Sequence, residues 1–440
     1  MSAAIRDAVT RDGPTAGSAK PIPSGLPRLL PATGQPMELA AHLQVHGTIP
    51  YRGGPRMLIH TIESAGLTGR GGAAFPTHRK LTAVADQKGV PVVVGNGAEG
   101  EPASDKDKTL LWSSPHLVLD GLQLAAEAVG ARRVHLYVHR EPRLVQRLNA
   151  VLAERATTGL DRLPVSLVTA PPRFLAGEAS ALASRVEGGP ALPRFNPPRM
   201  SERGVNGAPT LVQNVETLAQ LALISRYGPA WFRAIGTRAE PGSMLTTVRL
   251  ANGSGGVTET AIGTPIAELL KLAEHPAQAV LVGGYHGAWL TPEQARHLTL
   301  RNADLRPLGA TVGAGVLAAL PADRCGLVES AAVVQYLASE SAGQCGPCLN
   351  GLPRIAATLW QLAEHRSAPA ARDDLHRWST LVERRGACHH PDGTVRFLRS
   401  TLTVFADEVM LHETGRCSAG TYEPFLPIPA SSPDHKDDWS

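Results

Sequence analysis

The sequence predicts an α/β protein in three parts: a parallel sheet covered by helices, a compact β-grasp module, and a C-terminal helical bundle. Three observations predict it. Short apolar runs alternate with helical patterns through the first half of the chain. The texture changes to hairpin-like alternation from about Ser243, and successive helical patterns fill the chain beyond Val328. The domains expected are a Pro/Gly-rich leader at 1–50, an α/β domain at 51–242, a β-grasp domain at 243–322, a helical domain at 323–417 and a polar tail at 418–440.

Residues 1–50 lack sustained periodicity and read as a poorly ordered leader that becomes regular near Glu38. Segment 56–65 has a helix-like apolar pattern that ends at Gly66, a natural C′ residue. The glycine-dense loop 66–77 follows. The run 90–94 reads as a strand buried on both faces and opens into an acidic loop carrying Glu99 and Glu101. Segment 117–129 is an amphipathic helix closed by Gly130, 133–138 a strand, 144–155 a helix and 165–168 a strand. Ligands of such sheets bind beyond the carboxyl ends of the strands. Both Glu99/Glu101 and Gly177-Glu178 fall there.

From Ser243 onward, 244–250 alternates, 253–256 turns, 264–274 is helical and 279–282 is a strand. Helices are expected at 328–339, 351–366, 370–385 and 398–412. The tail from Ser431 is polar and reads as disordered.

Composition excludes several classes. With 440 residues, 43% of them hydrophobic, the chain can bury a sizeable core, and a net charge of +4 calls for no nucleic-acid partner. Aromatics at 4% argue against stacking platforms for single strands. Five cysteines are too few and odd in number for a secreted disulfide scaffold, so a reducing cytoplasm is expected. The first residues hold no apolar core of signal-peptide length. No apolar stretch of about eighteen residues occurs, so any membrane link runs through a partner.

The chemistry concentrates in Gly343-Gln344-Cys345-Gly346-Pro347-Cys348, with Cys388 further on. Two thiols in a tight turn can face one ion or cluster. The competing reading is two buried cysteines packing as small hydrophobes. The glycines of loop 66–77 let a backbone approach a phosphate or a flat ring closely, although many such loops are only turns.

Taken together and in order, these segments resemble the NADH-binding flavoprotein subunit of respiratory complex I and its relatives in hydrogenases and formate dehydrogenases. The matching residues are Gly69-Arg70-Gly71-Gly72-Ala73-Ala74-Phe75-Pro76-Thr77 with Lys80, then Asn96 and Glu99-Gly100-Glu101-Pro102. Gly177-Glu178, Glu187-Gly188, Gly207-Ala208-Pro209-Thr210, Asn214-Val215-Glu216-Thr217 and the cysteine turn complete the match. The resemblance implies a Rossmann-like flavin domain, a β-grasp domain of the soluble-ligand-binding type and a helical iron–sulfur domain. It implies FMN, NADH or NADPH, and a [4Fe–4S] cluster. The function it implies is an electron-transfer flavoprotein that oxidises NAD(P)H and serves a ferredoxin-like or membrane redox partner.

Carried over residue by residue, Gly69, Arg70, Gly71, Gly72, Lys80, Asn96, Glu99, Glu101, Gly177, Glu178, Asn214 and Thr217 line the cofactor site. Phe75 and Glu101 face the nicotinamide nucleotide, and Cys345, Cys348 and Cys388 hold the cluster. The sequence departs from the family pattern at Ala342, where a cluster cysteine is expected, and at Ala98 and Ala179, where carboxylates are expected. Gln213 stands for an asparagine, and an aromatic expected after Lys80 is absent. The fourth cluster position is open to Ser341, His389, His390, water, Cys325 or Cys417, or the cluster is three-iron or missing. Fewer carboxylates imply weaker nucleotide binding and a changed balance between NADH and NADPH. The alternative to the enzyme is a degenerate scaffold that has lost FMN or the cluster.

Overall fold

The computed structural model describes residues 25–195, 197–419, 424–429 and 439–440. The expected leader before Gly25 and the polar run 431–438 lie outside these residues. Where the leader is described, it is not loose. Leu29, Leu39 and Ile49 are buried, and the backbone N–H groups of Arg28 and Leu29 donate to Glu259 Oε2 at 2.6 and 2.7 Å. A buried carboxylate and three apolar anchors thus tie this stretch to the core, and a helix spans Leu39–His46.

Strands β1 (Val92–Gly97), β2 (Arg133–His139), β3 (Val165–Ala170) and β4 (Thr210–Asn214) form a parallel sheet in the order β3-β2-β1-β4. Val92, Val93 and Val94 are fully buried, as expected of a strand covered on both faces. The covering helices include Pro115–Val129 and Val215–Arg233, which touch at Gly121, where a Cβ would fall 1.9 Å from the Leu218 carbonyl oxygen. The first of these ends in Gly130 and the helix Met57–Ala65 ends in Gly66, both left-handed caps. Strand β4 was not anticipated. It is five residues long and runs straight into its helix, so no alternating pattern develops.

The second sheet contains β5 (Ser243–Arg249), β6 (Gly255–Ala261), β7 (Ala279–Val282), β8 (Ala288–Leu290) and β9 (Val316–Leu320), in the order β6-β5-β9-β7-β8. A hairpin, a crossover and a last strand parallel to the first make a β-grasp arrangement. The helix expected at 264–274 shrinks to Ile266–Leu269, because the chain turns at Lys271 with φ of 47°.

The C-terminal bundle comprises helices Gly326–Ser339, Leu352–Ala363, Ala371–Val382, His390–Val404 and Ala406–Glu413. The helix expected at 398–412 therefore starts earlier and divides at Phe405. That buried ring sits where a Cβ on Gly326 would be only 2.1 Å away, so Phe405 locks the break against the start of the first bundle helix.

Candidate functional site

In the order β3-β2-β1-β4 the chain reverses direction of progression between β1 and β4, which opens a crevice at the carboxyl ends of those two strands. Asn96 and Asn214 are register partners at that point. Asn214 caps the following helix by accepting the Glu216 N–H at 3.0 Å, and its amide donates to Asp107 at 2.6 Å. The Asn96 amide donates to the Gly177 carbonyl at 2.9 Å, which draws the loop beyond β3 to the same place.

The glycine loop closes over these ends. The Arg70 N–H donates to Thr217 Oγ1 at 2.9 Å, and a Cβ on Gly71 would approach the Asn214 Cβ to 3.2 Å. The Lys80 ammonium donates to the Val212 carbonyl on β4 at 3.2 Å. The side chain is exposed, and no carboxylate pairs with it among the described residues. The structure thus brings Gly71, Asn96, Gly177, Asn214 and Thr217 together at the strand ends, with Lys80 beside β4. Gly69 instead bonds back to Phe75 within its own loop, and Gly72 pairs with Gly313 ahead of β9.

Arg70 behaves differently from the expectation for a cofactor ligand. Its guanidinium is buried, donating to the Thr68 carbonyl at 3.1 Å and the Ser243 carbonyl at 3.2 Å, with Glu216 at 3.9 Å. It braces the loop against β5.

Beneath the crevice lies a buried charge network. Lys106 Nζ is 2.6 Å from Asp107 and 3.0 Å from Glu216. Burial opposes the ammonium charge, but Asp107, Glu216 and Glu99 hold its pKa above the usual value. Glu99 accepts from the Ser104 hydroxyl and, at 3.1 Å, from the Asp107 N–H. Burial, reinforced by the Asp107 charge, pushes its carboxyl up to about 8. Sequence reasoning missed Lys106 and Asp107, because a run such as Asp105-Lys106-Asp107-Lys108 reads as a solvated face.

Glu101 is a tie between the two sheets. Its Oε2 accepts the Tyr285 N–H from the turn after β7 at 2.7 Å, and its Oε1 accepts the Ala103 N–H at 3.2 Å. Gly284, at φ of 85°, leaves the space, since a Cβ there would fall 2.4 Å from Oε2. Burial pushes Glu101 up to about 7. Phe75, expected beside it at the nucleotide, is an exposed aromatic on the rim of the glycine loop, 46% accessible.

The cysteine turn follows the Gly326–Ser339 helix. Cys345, Cys348 and Cys388 lie within electrostatic reach of one another, and the Ser341 hydroxyl of the same turn accepts the Gly343 N–H at 3.1 Å. Burial pushes Cys348 up to about 12, and metal loading must displace its proton. Cys388 also lies within electrostatic reach of Glu178, whose carboxylate caps the helix Ala179–Val186 by accepting the Ser180 N–H at 2.8 Å. The same segment is pinned by Glu340, which accepts from Arg173 at 3.0 Å and from the Phe174 N–H at 2.8 Å. The crevice and the cysteine turn are therefore neighbours.

Several expected fourth ligands are placed elsewhere. Cys325 begins the Gly326–Ser339 helix, whose 14 residues put it about 21 Å from the turn, and Cys417 lies beside Cys325. His390 is buried against the Leu337 carbonyl at 2.8 Å and His286 at 3.0 Å, while His389 is fully exposed beside Asp392.

Two family models match the chain and together span more than half of it. Residues 62–223 match the Nuo51 FMN-binding domain, and 329–412 match the NADH-ubiquinone oxidoreductase-F iron-sulfur binding region. The chain is similar to F-type subunits of NADH-quinone oxidoreductase. It is 28% identical to the F-type subunit numbered 2 of the NADH-quinone oxidoreductase of Rhizobium meliloti, over 82% of this chain and 90% of that protein. With the F-type subunit of the Streptomyces coelicolor enzyme it shares 27% identity over 82% and 84% of the two chains. An NAD+-reducing [NiFe]-hydrogenase in its H2-reduced state superposes with a TM-score of 0.73 at 29% identity, covering 81% of this chain and 62% of that one. The chain thus spans somewhat under two thirds of the hydrogenase polypeptide.

The residues of this chain fit the two cofactors named by the matching family models. Lys80 offers a cation with no carboxylate partner, the glycine loop an approach free of Cβ atoms, and Gln213 Nε2 is a buried donor without a partner among the described residues. Three thiols within electrostatic reach of one another suit an iron–sulfur cluster. No helix among the described residues is long and apolar enough to cross a membrane.

Proposed function

We propose that this chain is the electron-input component of a nicotinamide-linked redox assembly, oxidising NADH or NADPH and delivering electrons to a redox protein partner. FMN, when bound, accepts two electrons from a nicotinamide and releases them singly to an iron–sulfur centre. The chain's residues do the rest. Lys80 and the backbone of Gly69, Gly71 and Gly72 hold the phosphate end of the flavin. Asn96, Asn214 and Thr217 orient its polar ring edge, with Gly177 allowing close approach. Phe75 offers an apolar face on which a nicotinamide ring can stack.

Glu99 carries a carboxyl near 8 that holds a proton close to neutrality beneath this site. Glu101 positions the β-grasp module against the crevice from the same acidic loop. Cys345, Cys348 and Cys388 hold the cluster, and Ser341 supplies its fourth contact in place of the cysteine missing at Ala342. The observation that supports the reading is the bonding of Glu340, which opens the cysteine turn, to Arg173 and the Phe174 N–H, because it ties that turn to the segment leading into Gly177-Glu178.

With alanine at 98 and 179 the crevice presents fewer negative groups, so the phosphate on NADPH is better tolerated. Anaerobic addition of NADH, then NADPH, to reconstituted chain tests the reading. Flavin bleaching with a smaller rate ratio between the two nucleotides than a carboxylate-rich site gives supports it. A colourless chain that retains neither FMN nor iron supports the scaffold alternative instead.

A further inference from the structure

Two of the five cysteines, Cys325 and Cys417, fall outside both family matches and have no part in the cluster turn. They are 92 positions apart, yet the fold brings them together with Glu408 and His412, and the four donor atoms all lie within 4.8 Å of one another. We propose that Cys325, Glu408, His412 and Cys417 form a structural site for one zinc-class divalent cation.

The separations fit a tetrahedral ion. Cys325 Sγ lies 3.4 Å from His412 Nε2 and 3.7 Å from Glu408 Oε1, and those two atoms are 3.0 Å apart. Metal–sulfur bonds of about 2.3 Å and metal–nitrogen or –oxygen bonds of about 2.0–2.1 Å require edges of roughly 3.3–3.8 Å. A shift of a few tenths of an ångström at the His412–Glu408 edge completes the figure.

The surroundings are those of a ligand set. His412 Nδ1 sits 3.3 Å from the Leu362 carbonyl, which can only accept. That contact can hold a ring proton on Nδ1 once an ion takes Nε2, which otherwise faces the Glu408 carboxylate. Each sulfur accepts a backbone N–H, Cys325 from Val328 at 3.5 Å and Cys417 from Ala419 at 3.4 Å. The Glu408 carboxylate is oriented by the Ser418 N–H at 3.0 Å and by the Ser418 hydroxyl. Cys325, Glu408 and His412 are buried and Cys417 is half-buried, so four protein donors close the shell with no position left for a substrate.

Two thiols, an imidazole and a carboxylate suit a borderline cation of tetrahedral preference rather than magnesium or calcium. Binding would release the two thiol protons to solvent and set two thiolates and one carboxylate around the ion. The ion would staple the segment after the last helix to the start of the Gly326–Ser339 helix, whose far end leads into the cluster turn.

The test is zinc content and zinc-edge X-ray absorption on the full chain, purified anaerobically from zinc-supplemented cells, with iron and flavin measured on the same sample. The proposal expects about one zinc per chain with two sulfur and two nitrogen or oxygen neighbours. Cys325→Ser and Cys417→Ser should each lower zinc at least about tenfold with iron and flavin unchanged, and His412→Cys should retain zinc. Should the serine variants fail to fold, the wild-type chain decides alone. Loss of zinc to a chelator must then lower its melting temperature without removing iron. Wild-type chain with less than about a tenth of a zinc, zinc unaffected by Cys325→Ser in folded protein, or a Cys325–Cys417 disulfide in freshly isolated material each overturns the proposal.

Discussion

The Gly326–Ser339 helix has cysteines at both ends, and the two sets differ in every respect that decides their chemistry. At the carboxyl end Cys345 and Cys348 stand in one turn, joined by Cys388, beside Glu178 of the flavin crevice. At the amino end Cys325 meets Cys417, His412 and Glu408, with all four donor atoms within 4.8 Å of one another. The first set is all sulfur, and Glu340 at the start of its turn bonds the Phe174 segment that leads to the crevice, which suits electron passage. The second mixes sulfur, nitrogen and oxygen around a point too small for a cluster, which suits a redox-inert ion. Position relative to the crevice, more than cysteine count, separates a relay from a staple.

The largest expected effect breaks this comparison at one end only. Cys345→Ser should abolish iron and acid-labile sulfide in the purified chain while leaving zinc in place; joint loss of both metals would mean that the two ends are one site. The next effect severs the crevice from the cysteine turn. A Cβ on Gly100 would fall 2.1 Å from the Phe174 carbonyl oxygen, so Gly100→Ala should destabilise the fold by about 2–3 kcal/mol in urea unfolding. A value near zero would show that the loop and the Phe174 segment part without cost.

Glu101 gives a pH signature. Burial raises its folded-state pKa from 4.5 to about 7, so the folded chain keeps a proton that the unfolded chain releases. Its contribution to stability is therefore present below about pH 4.5 and is lost as pH rises toward 7. Glu101→Gln removes that loss, and its melting temperature should gain on wild type across this window, equivalent to about 3 kcal/mol at the upper end. A difference that does not change with pH would contradict the burial of a titrating group between the sheets. The smallest effect is Lys80→Gln, which should weaken FMN binding about tenfold in a fluorescence titration by removing one charge-assisted phosphate contact.

The sequence and the structure agree most where local pattern carries the information. Valine runs at 92–94 and the glycine caps at Gly66 and Gly130 are visible because burial and left-handed backbone leave a local trace. The cysteine turn and the glycine loop are legible for the same reason. Strand β4 escaped because it owes its existence to pairing with β1 rather than to any periodicity of its own. Lys106 escaped because only the fold reveals that its ammonium is 2% exposed between two carboxylates. Arg70 sits inside a legible motif, yet its side chain points to a bracing role that the motif does not state. The amino-end cysteines were illegible for a simpler reason: no local spacing links Cys325 to Cys417, and the long-range packing of the bundle alone makes them neighbours.

The most direct test of the electron-carrier account is one anaerobic sample of flavin- and iron-loaded chain, followed by absorbance and electron paramagnetic resonance as NADH is added. The account predicts that flavin absorbance bleaches and a paramagnetic iron–sulfur signal grows in the same titration, whereas Cys345→Ser protein keeps the bleaching and loses the signal. Bleaching of the wild-type flavin with the iron centre fully loaded and unchanged would contradict the passage of electrons from the crevice to the cysteine turn.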